Sequence, residues 1–327
     1  MDRGIYGILL EHPIYQNSKK DWIIETARSD MIWYDLMFDP FDELDTRPIV
    51  LNQLKQFKKD VESSIEKRFI YFICTRKKVR FSEDIKPEIC AKSSMIKLTI
   101  IVGDNESSHE VFLSMHDLLD GASLECGVST TDKFLTIQFE SGDKLSLPIH
   151  DFLNNHNIDL GINTEVHYIG LTKNPESRPI DGSHKGLNKL LYKIAMDGST
   201  EDVFIFFNIF KVNVNAVQSK QKLNLFTTNS VIDEIDADVE GEVLEKCLIT
   251  YFDTEIQENN KLSEKGRLKN VLGKMFEDNN ISSILFYYDI EPETEYWKFY
   301  SDNVSPKIDH YFKVEYINKE ISITDIE

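Results

Sequence analysis

The sequence predicts an α+β protein in two successive units, residues 1–160 and 161–327. Three observations carry this. Apolar runs rich in β-branched and aromatic residues, FIYFIC (69–74) and VFIFFNIF (203–210), alternate with segments of helical period. Two stretches, 96–121 and 133–155, repeat a strand–turn–strand pattern, and the texture of the chain changes after them, near 160. A length of 327 residues also suits about two domains.

In chain order, Leu51, Leu54, Phe57, Val61 and Ile65 recur at helical spacing and predict an amphipathic helix over 51–69. FIYFIC follows as a strand. The two hairpin repeats each end in His-Asp, His116-Asp117 and His150-Asp151, a period of 34 (150 − 116). The pair is compatible with metal ligation, but no further ligands arrive at metal-like spacing. The plainer expectation is an aspartate bonding backbone N–H groups at the start of a short helix. After 160, EVHYIGLT (165–172) reads as a strand and 174–183 as a loop. HKGLNKLLYKIAM (184–196) reads as a helix with Ser183 as N-cap. Residues 213–238 read as a surface insertion, 243–252 and 263–278 as helices, and 281–290 as a strand, followed by a strand-rich tail.

Composition narrows the function classes. With 41% hydrophobic residues and 11% aromatics the chain can bury a core, which excludes wholesale disorder. The apolar runs fall short of the ~20 residues a bilayer span needs. The opening MDRGIYGILLEH is too short in its apolar part for a signal peptide, so a cytoplasmic protein without membrane contact is expected. Cys74, Cys90, Cys126 and Cys247 lie far apart, which argues against a zinc site or a disulfide framework. The net charge of −19 argues against a general nucleic-acid coat and suits a basic partner protein.

One segment runs against that charge. From 171 to 193 there are five Lys/Arg against Glu176 and Asp181. Tyr168 ends a strand, Gly170 permits a close turn, Arg178 follows ten residues after Tyr168, and a helix begins near His184. A strand-end tyrosine, an arginine fork and the free N–H groups of a helix start suit one phosphate. Lys185, Lys189 and Lys193 lie one turn apart and form a basic stripe opposite Leu187, Leu190, Leu191 and Ile194. The same residues admit a blander account, in which Arg178 pairs with Glu176 or Asp181 and the lysines make a solvated face.

The order Tyr168-Ile169-Gly170, Arg178, then Glu245-Lys246-Cys247-Leu248-Ile249 resembles the GIY-YIG nucleases over roughly 161–290. The resemblance implies a small mixed-sheet nuclease domain. It implies that Tyr168 is the YIG tyrosine, Arg178 the phosphate-binding arginine, His184 an accessory acid, base or phosphate contact, and Glu245 the ligand of Mg²⁺ or Mn²⁺. Lys185, Lys189 and Lys193 would contact DNA. The implied reaction is metal-dependent cleavage of DNA, in anti-phage defence or a mobile element. The four residues should then converge in one cleft. The sequence departs from the family where GIY should precede YIG: there is no tyrosine between Tyr71 and Tyr168, and the literal Gly4-Ile5-Tyr6 stands far upstream. Thr254 and Gln257 replace the family's late Pro and Asn. Two alternatives stay open: a catalytically silent binding module, and an acidic subunit whose first 160 residues dock a basic partner protein.

Overall fold

The computed structural model describes residues 5–38, 45–62, 68–90, 95–104, 107–114, 126–178, 180, 184–232, 235–254, 261–290 and 294–326. Its helices are α1 (Ile5–Glu11), α2 (Pro13–Gln16), α3 (Arg47–Glu62), α4 (Ile149–Asn155), α5 (Lys185–Asp197), α6 (Asn229–Ile232), α7 (Ala237–Phe252) and α8 (Lys261–Asn279). The strands of the first half are β1 (Lys19–Trp33), β2 (Phe69–Lys77), β3 (Val79–Phe81), β4 (Glu88–Cys90), β5 (Met95–Val102), β6 (Ser107–Ser114), β7 (Cys126–Thr130), β8 (Phe134–Phe139) and β9 (Lys144–Pro148). Those of the second half are β10 (Thr164–Thr172), β11 (Glu201–Gln218), β12 (Leu223–Thr228), β13 (Ile281–Tyr288), β14 (Phe299–Ser301), β15 (Val304–Lys307), β16 (His310–Ile317) and β17 (Glu320–Asp325).

The architecture is α+β, as the sequence predicts. A mixed sheet runs in the order β15-β14-β10-β2-β11-β1-β13-β16-β17, with β12 also on β11. Most neighbours are antiparallel; β1–β13 and β10–β14 are parallel. The boundary expected at 160 does not separate two sheets. Strands β1 and β2 of the first half sit between β10, β11 and β13 of the second, hydrogen-bonded to them. A chain that must pair strands across that point cannot divide there.

The central strands are buried on both faces, which is why they read as continuous apolar runs rather than alternating ones. On β2, Phe69, Tyr71 and Ile73 face one core while Ile70, Phe72 and Cys74 face the other. The first core is closed by Val50, Leu54, Phe57 and Val61 of α3 and by Leu187 and Leu190 of α5. The second is closed by Val243, Leu244, Cys247 and Leu248 of α7, by α8, and by the small sheets.

Both expected hairpins form, β5–β6 and β8–β9, but in different small sheets. His116-Asp117 lies outside the described residues. Asp151 is not a cap: the N-cap of α4 is Pro148, with no side-chain bond. His150 instead is fully buried, its Nε2 2.9 Å from Asp202 Oδ2 and its Nδ1 2.7 Å from the Tyr296 hydroxyl. The expected insertion at 213–238 begins as strand, because β11 continues to Gln218 along β1 and turns back into β12. Ile5 and Tyr6 of the literal GIY lie in α1, not on a strand. No helix among the described residues is long and apolar enough to cross a membrane.

Candidate functional site

Strand β10 presents Tyr168 through an irregularity. Val166 pairs with Cys74 and Tyr168 with Ile73, so His167 is an extra residue in the ladder. Because side chains alternate with period two, this bulge re-aims everything after it. It turns Tyr168 and Gly170 onto the face of α3 and α5, opposite Ile73 and Tyr71.

Gly170 then has a steric role. A Cβ there would lie 2.4 Å from Cζ and Oη of Tyr71, so the tip of the Tyr71 ring rests on the bare backbone. Gly186, in the first turn of α5, does the same for Tyr168, whose Cδ2 would be 2.8 Å from an added Cβ. The two tyrosine rings stack with centroids 6.0 Å apart, and the His184 ring stands edge-on to both, at 5.5 and 4.9 Å.

His184 caps α5. Its backbone is extended, and Nδ1 accepts the Leu187 N–H at 3.1 Å. The Ser183 cap expected from sequence lies outside the described residues, and His184 holds the N-cap position. The cap bond determines the tautomer: Nδ1 accepts, so the proton of the neutral ring is on Nε2. That Nε2 lies 2.7 Å from the Tyr71 hydroxyl and donates to it, which leaves the Tyr71 proton for its other neighbour, Tyr168.

Burial, first of all, and then the adjoining Tyr168 push the Tyr71 hydroxyl far above the usual tyrosine range. The Arg178 guanidinium works in the opposite direction, and the Glu245 carboxylate adds to the rise. Both expected charges therefore act on this one phenol. Arg178 is exposed, in a turn held by its N–H bond to the Asn174 carbonyl at 3.0 Å. Lys185, Lys189 and Lys193 are exposed along α5, as the stripe predicts.

Glu245 comes from elsewhere. Asp236 caps α7 by accepting the N–H groups of Asp238 and Val239, and the apolar side of the helix packs on the face opposite α5, against β10 and β2. Glu245 therefore stands across the sheet from the face that carries the tyrosines. Along β10, among the described residues, β14 pairs with Thr164 and Glu165 alone. The Glu245 carboxylate is 3.8 Å from the buried Lys246 ammonium, which also holds Glu242 at 3.3 Å.

The structure thus brings Tyr168 and His184 into contact, whereas Glu245 stands on a helix packed on the opposite face of the sheet, which departs from the single cleft expected of the four residues. Sequence reading missed Tyr71, the residue on which they all act. Its signal was Ile70-Tyr71, the last two letters of GIY, in the strand that turns out to neighbour YIG. No group of three or more His, Cys, Asp or Glu side chains among the described residues could hold a metal ion. Glu245 offers one carboxylate, with Glu242 sharing its ammonium. A hard cation such as Mg²⁺ would need further ligands from water or substrate beside this one carboxylate.

No protein-family model, curated protein or solved structure matches this chain.

A second polar cluster is structural. His150 and Asp202 are enclosed by Trp33, Phe204 and Trp297, and Asp202 also takes the Arg80 guanidinium at 2.8 Å and the Val79 N–H at 2.9 Å. Burial alone would raise the Asp202 carboxyl, but the His150 bond and the Arg80 charge hold it below the usual range. This is a buried network held by hydrogen bonds and ion pairs.

Proposed function

We propose that the chain is a divalent-metal-dependent DNA endonuclease of the GIY-YIG type. The observation that carries the reading is the cluster of Tyr71 and Tyr168, on adjacent antiparallel strands, with the helix-capping His184, in which Tyr71 rests on Gly170 of Tyr168-Ile169-Gly170. Tyr71 supplies the first-strand tyrosine that the sequence lacks at the usual distance. It arrives 97 residues earlier (168 − 71), because β3 to β9 are inserted between the two strands.

In this reading Arg178, exposed beside the tyrosines, binds the scissile phosphate and neutralises charge that grows in the transition state. Glu245 would hold Mg²⁺ or Mn²⁺, which supplies Lewis-acid polarisation of the phosphate when bound. The tyrosines orient rather than abstract. Tyr71, fully buried and held by His184 Nε2–H, turns its hydroxyl proton to Tyr168 and so orients that phenol. Tyr168, only partly buried, serves as the hydrogen-bonding group toward a phosphate oxygen or the attacking water. Lys185, Lys189 and Lys193 of α5 contact the flanking DNA backbone.

A cytoplasmic role in anti-phage defence or in a mobile element fits this activity. The second reading, a silent DNA-binding module, is favoured by one observation: the Lys246 ammonium already stands beside Glu245. The acidic surface of the chain would then serve a basic partner protein. Incubating the purified protein with plasmid and single-stranded DNA in Mg²⁺, Mn²⁺ or EDTA separates the two. Metal-dependent nicking supports the nuclease, while binding without cleavage under every metal supports the silent module.

A further inference from the structure

The first half of the chain contributes more to this site than Tyr71. Helix α3 turns Leu54, Phe57 and Val61 into the core shared with α5, so its opposite side faces outward beside the site. Lys55 and Lys59 lie one turn apart on that side, both exposed. With Lys58, Glu62 and Glu176 they line an open depression of about 390 Å³. Three ammonium groups against two carboxylates make it cationic on a chain of charge −19.

Lys58 ties this depression to the phosphate-binding turn. Its ammonium donates to Asn174 Oδ1 at 2.6 Å and to Glu176 Oε1 at 3.3 Å. The main-chain carbonyl of the same Asn174 accepts the Arg178 N–H at 3.0 Å. One residue thus joins the α3 lysines to the arginine assigned to the scissile phosphate. Lys58 neutralises Glu176, the carboxylate that would otherwise repel a phosphate there, and Lys55 and Lys59 beside it on α3 are exposed.

We propose that Lys55 and Lys59 of α3 form a second phosphate-contacting surface, which takes the duplex DNA backbone flanking the bond at Arg178. The inference rests on the DNA reading above. Its chemistry is charge complementarity to a polyanion, and in this otherwise anionic protein the depression and the α5 stripe flank one turn.

The test is fluorescence anisotropy with a labelled 30-base-pair duplex in EDTA, which removes cleavage from the readout, across ~50–200 mM salt. Lys55→Gln/Lys59→Gln is compared with Lys185→Gln/Lys189→Gln and wild type. The expected result is a weaker affinity, at least about tenfold at the lowest salt, and a salt slope shallower by about two in the α3 variant. A wild-type slope and affinity in the α3 variant, with loss in the α5 variant, would overturn the α3 surface while leaving the DNA reading standing. Absence of duplex binding by wild type at every salt would overturn both. The substituted lysines are exposed, so folding is not at stake, and unchanged circular dichroism verifies that.

Discussion

The Tyr71 hydroxyl accepts a hydrogen bond from Nε2 of His184 at 2.7 Å, across 113 residues of chain. The same imidazole uses Nδ1 to cap α5. The start of a helix and the first tyrosine of the cluster are thereby locked to one ring, whose tautomer the cap determines.

Tyr71→Phe tests that lock. It removes one hydroxyl and leaves the buried Nε2–H of His184 unsatisfied. Such a loss costs about 1–3 kcal/mol. Urea denaturation should show a lower midpoint with an unchanged slope. If the nuclease reading holds, cleavage should fall by on the order of 10²-fold as a positioned donor is lost. An unchanged midpoint would mean that the bond contributes nothing.

Gly170→Ala should destabilise more than a glycine replacement in a strand normally does. Its Cβ would lie 2.4 Å from the Tyr71 ring, and overpacking of this kind costs about 1–3 kcal/mol. Tyr71→Leu in the same chain should relieve part of the cost, because the two positions touch. Strictly additive losses in thermal or urea unfolding would refute the contact.

Arg178→Ala and Glu245→Ala address the chemistry. Arg178 is exposed, so Arg178→Ala should keep the wild-type melting temperature within a few degrees, whereas Glu245→Ala takes a carboxylate from the buried Lys246 ammonium and should lower it. Arg178→Ala should slow plasmid cleavage on the order of 10²–10³-fold. Glu245→Ala should abolish it, since the adjacent Leu244 and Lys246 cannot ligate Mg²⁺. Undiminished cleavage in both would point to a contaminant or another site.

Asp151 provides a pH signature unrelated to the site. Burial, aided by the nearby Asp30 carboxylate, pushes its carboxyl up to about 6. A carboxyl raised in the folded state keeps its proton while the unfolded chain loses one, from about pH 4 upward. Folding stability therefore falls as pH rises from about 4 to 6, and the penalty is complete above that window. Asp151→Asn should remove it, gaining about 3 kcal/mol at pH 7 and little at pH 4. Denaturation of both proteins at the two pH values isolates this group; equal gains at both would show that its titration is not coupled to folding.

The sequence by itself determined the elements whose signal is local. Phe69 to Cys74 and Val203 to Phe210 read as strands because both of their faces are apolar, and they are the buried centre of the sheet. The helices containing Leu54 and Phe57, and Val243 and Cys247, followed from an apolar period matched to one buried side. The Lys185-Lys189-Lys193 stripe was legible for the converse reason, since an exposed side chain answers to its own helix alone.

What the tertiary structure decided is everything that depends on which strand lies beside which. Nothing in Ile70-Tyr71 says that its strand will pair with Tyr168 rather than with β3, nearby in sequence, because backbone ladders are alike for every residue. The boundary near 160 looked real for the same reason: a change in local texture carries no information on pairing across it. His167 is the sharpest case. One extra residue reverses the parity of a strand, so the sequence names Tyr168 without saying which face it will occupy. The ladder with β2 turns it toward Tyr71 and His184, and the loop lengths and core packing that set this register are properties of the whole chain.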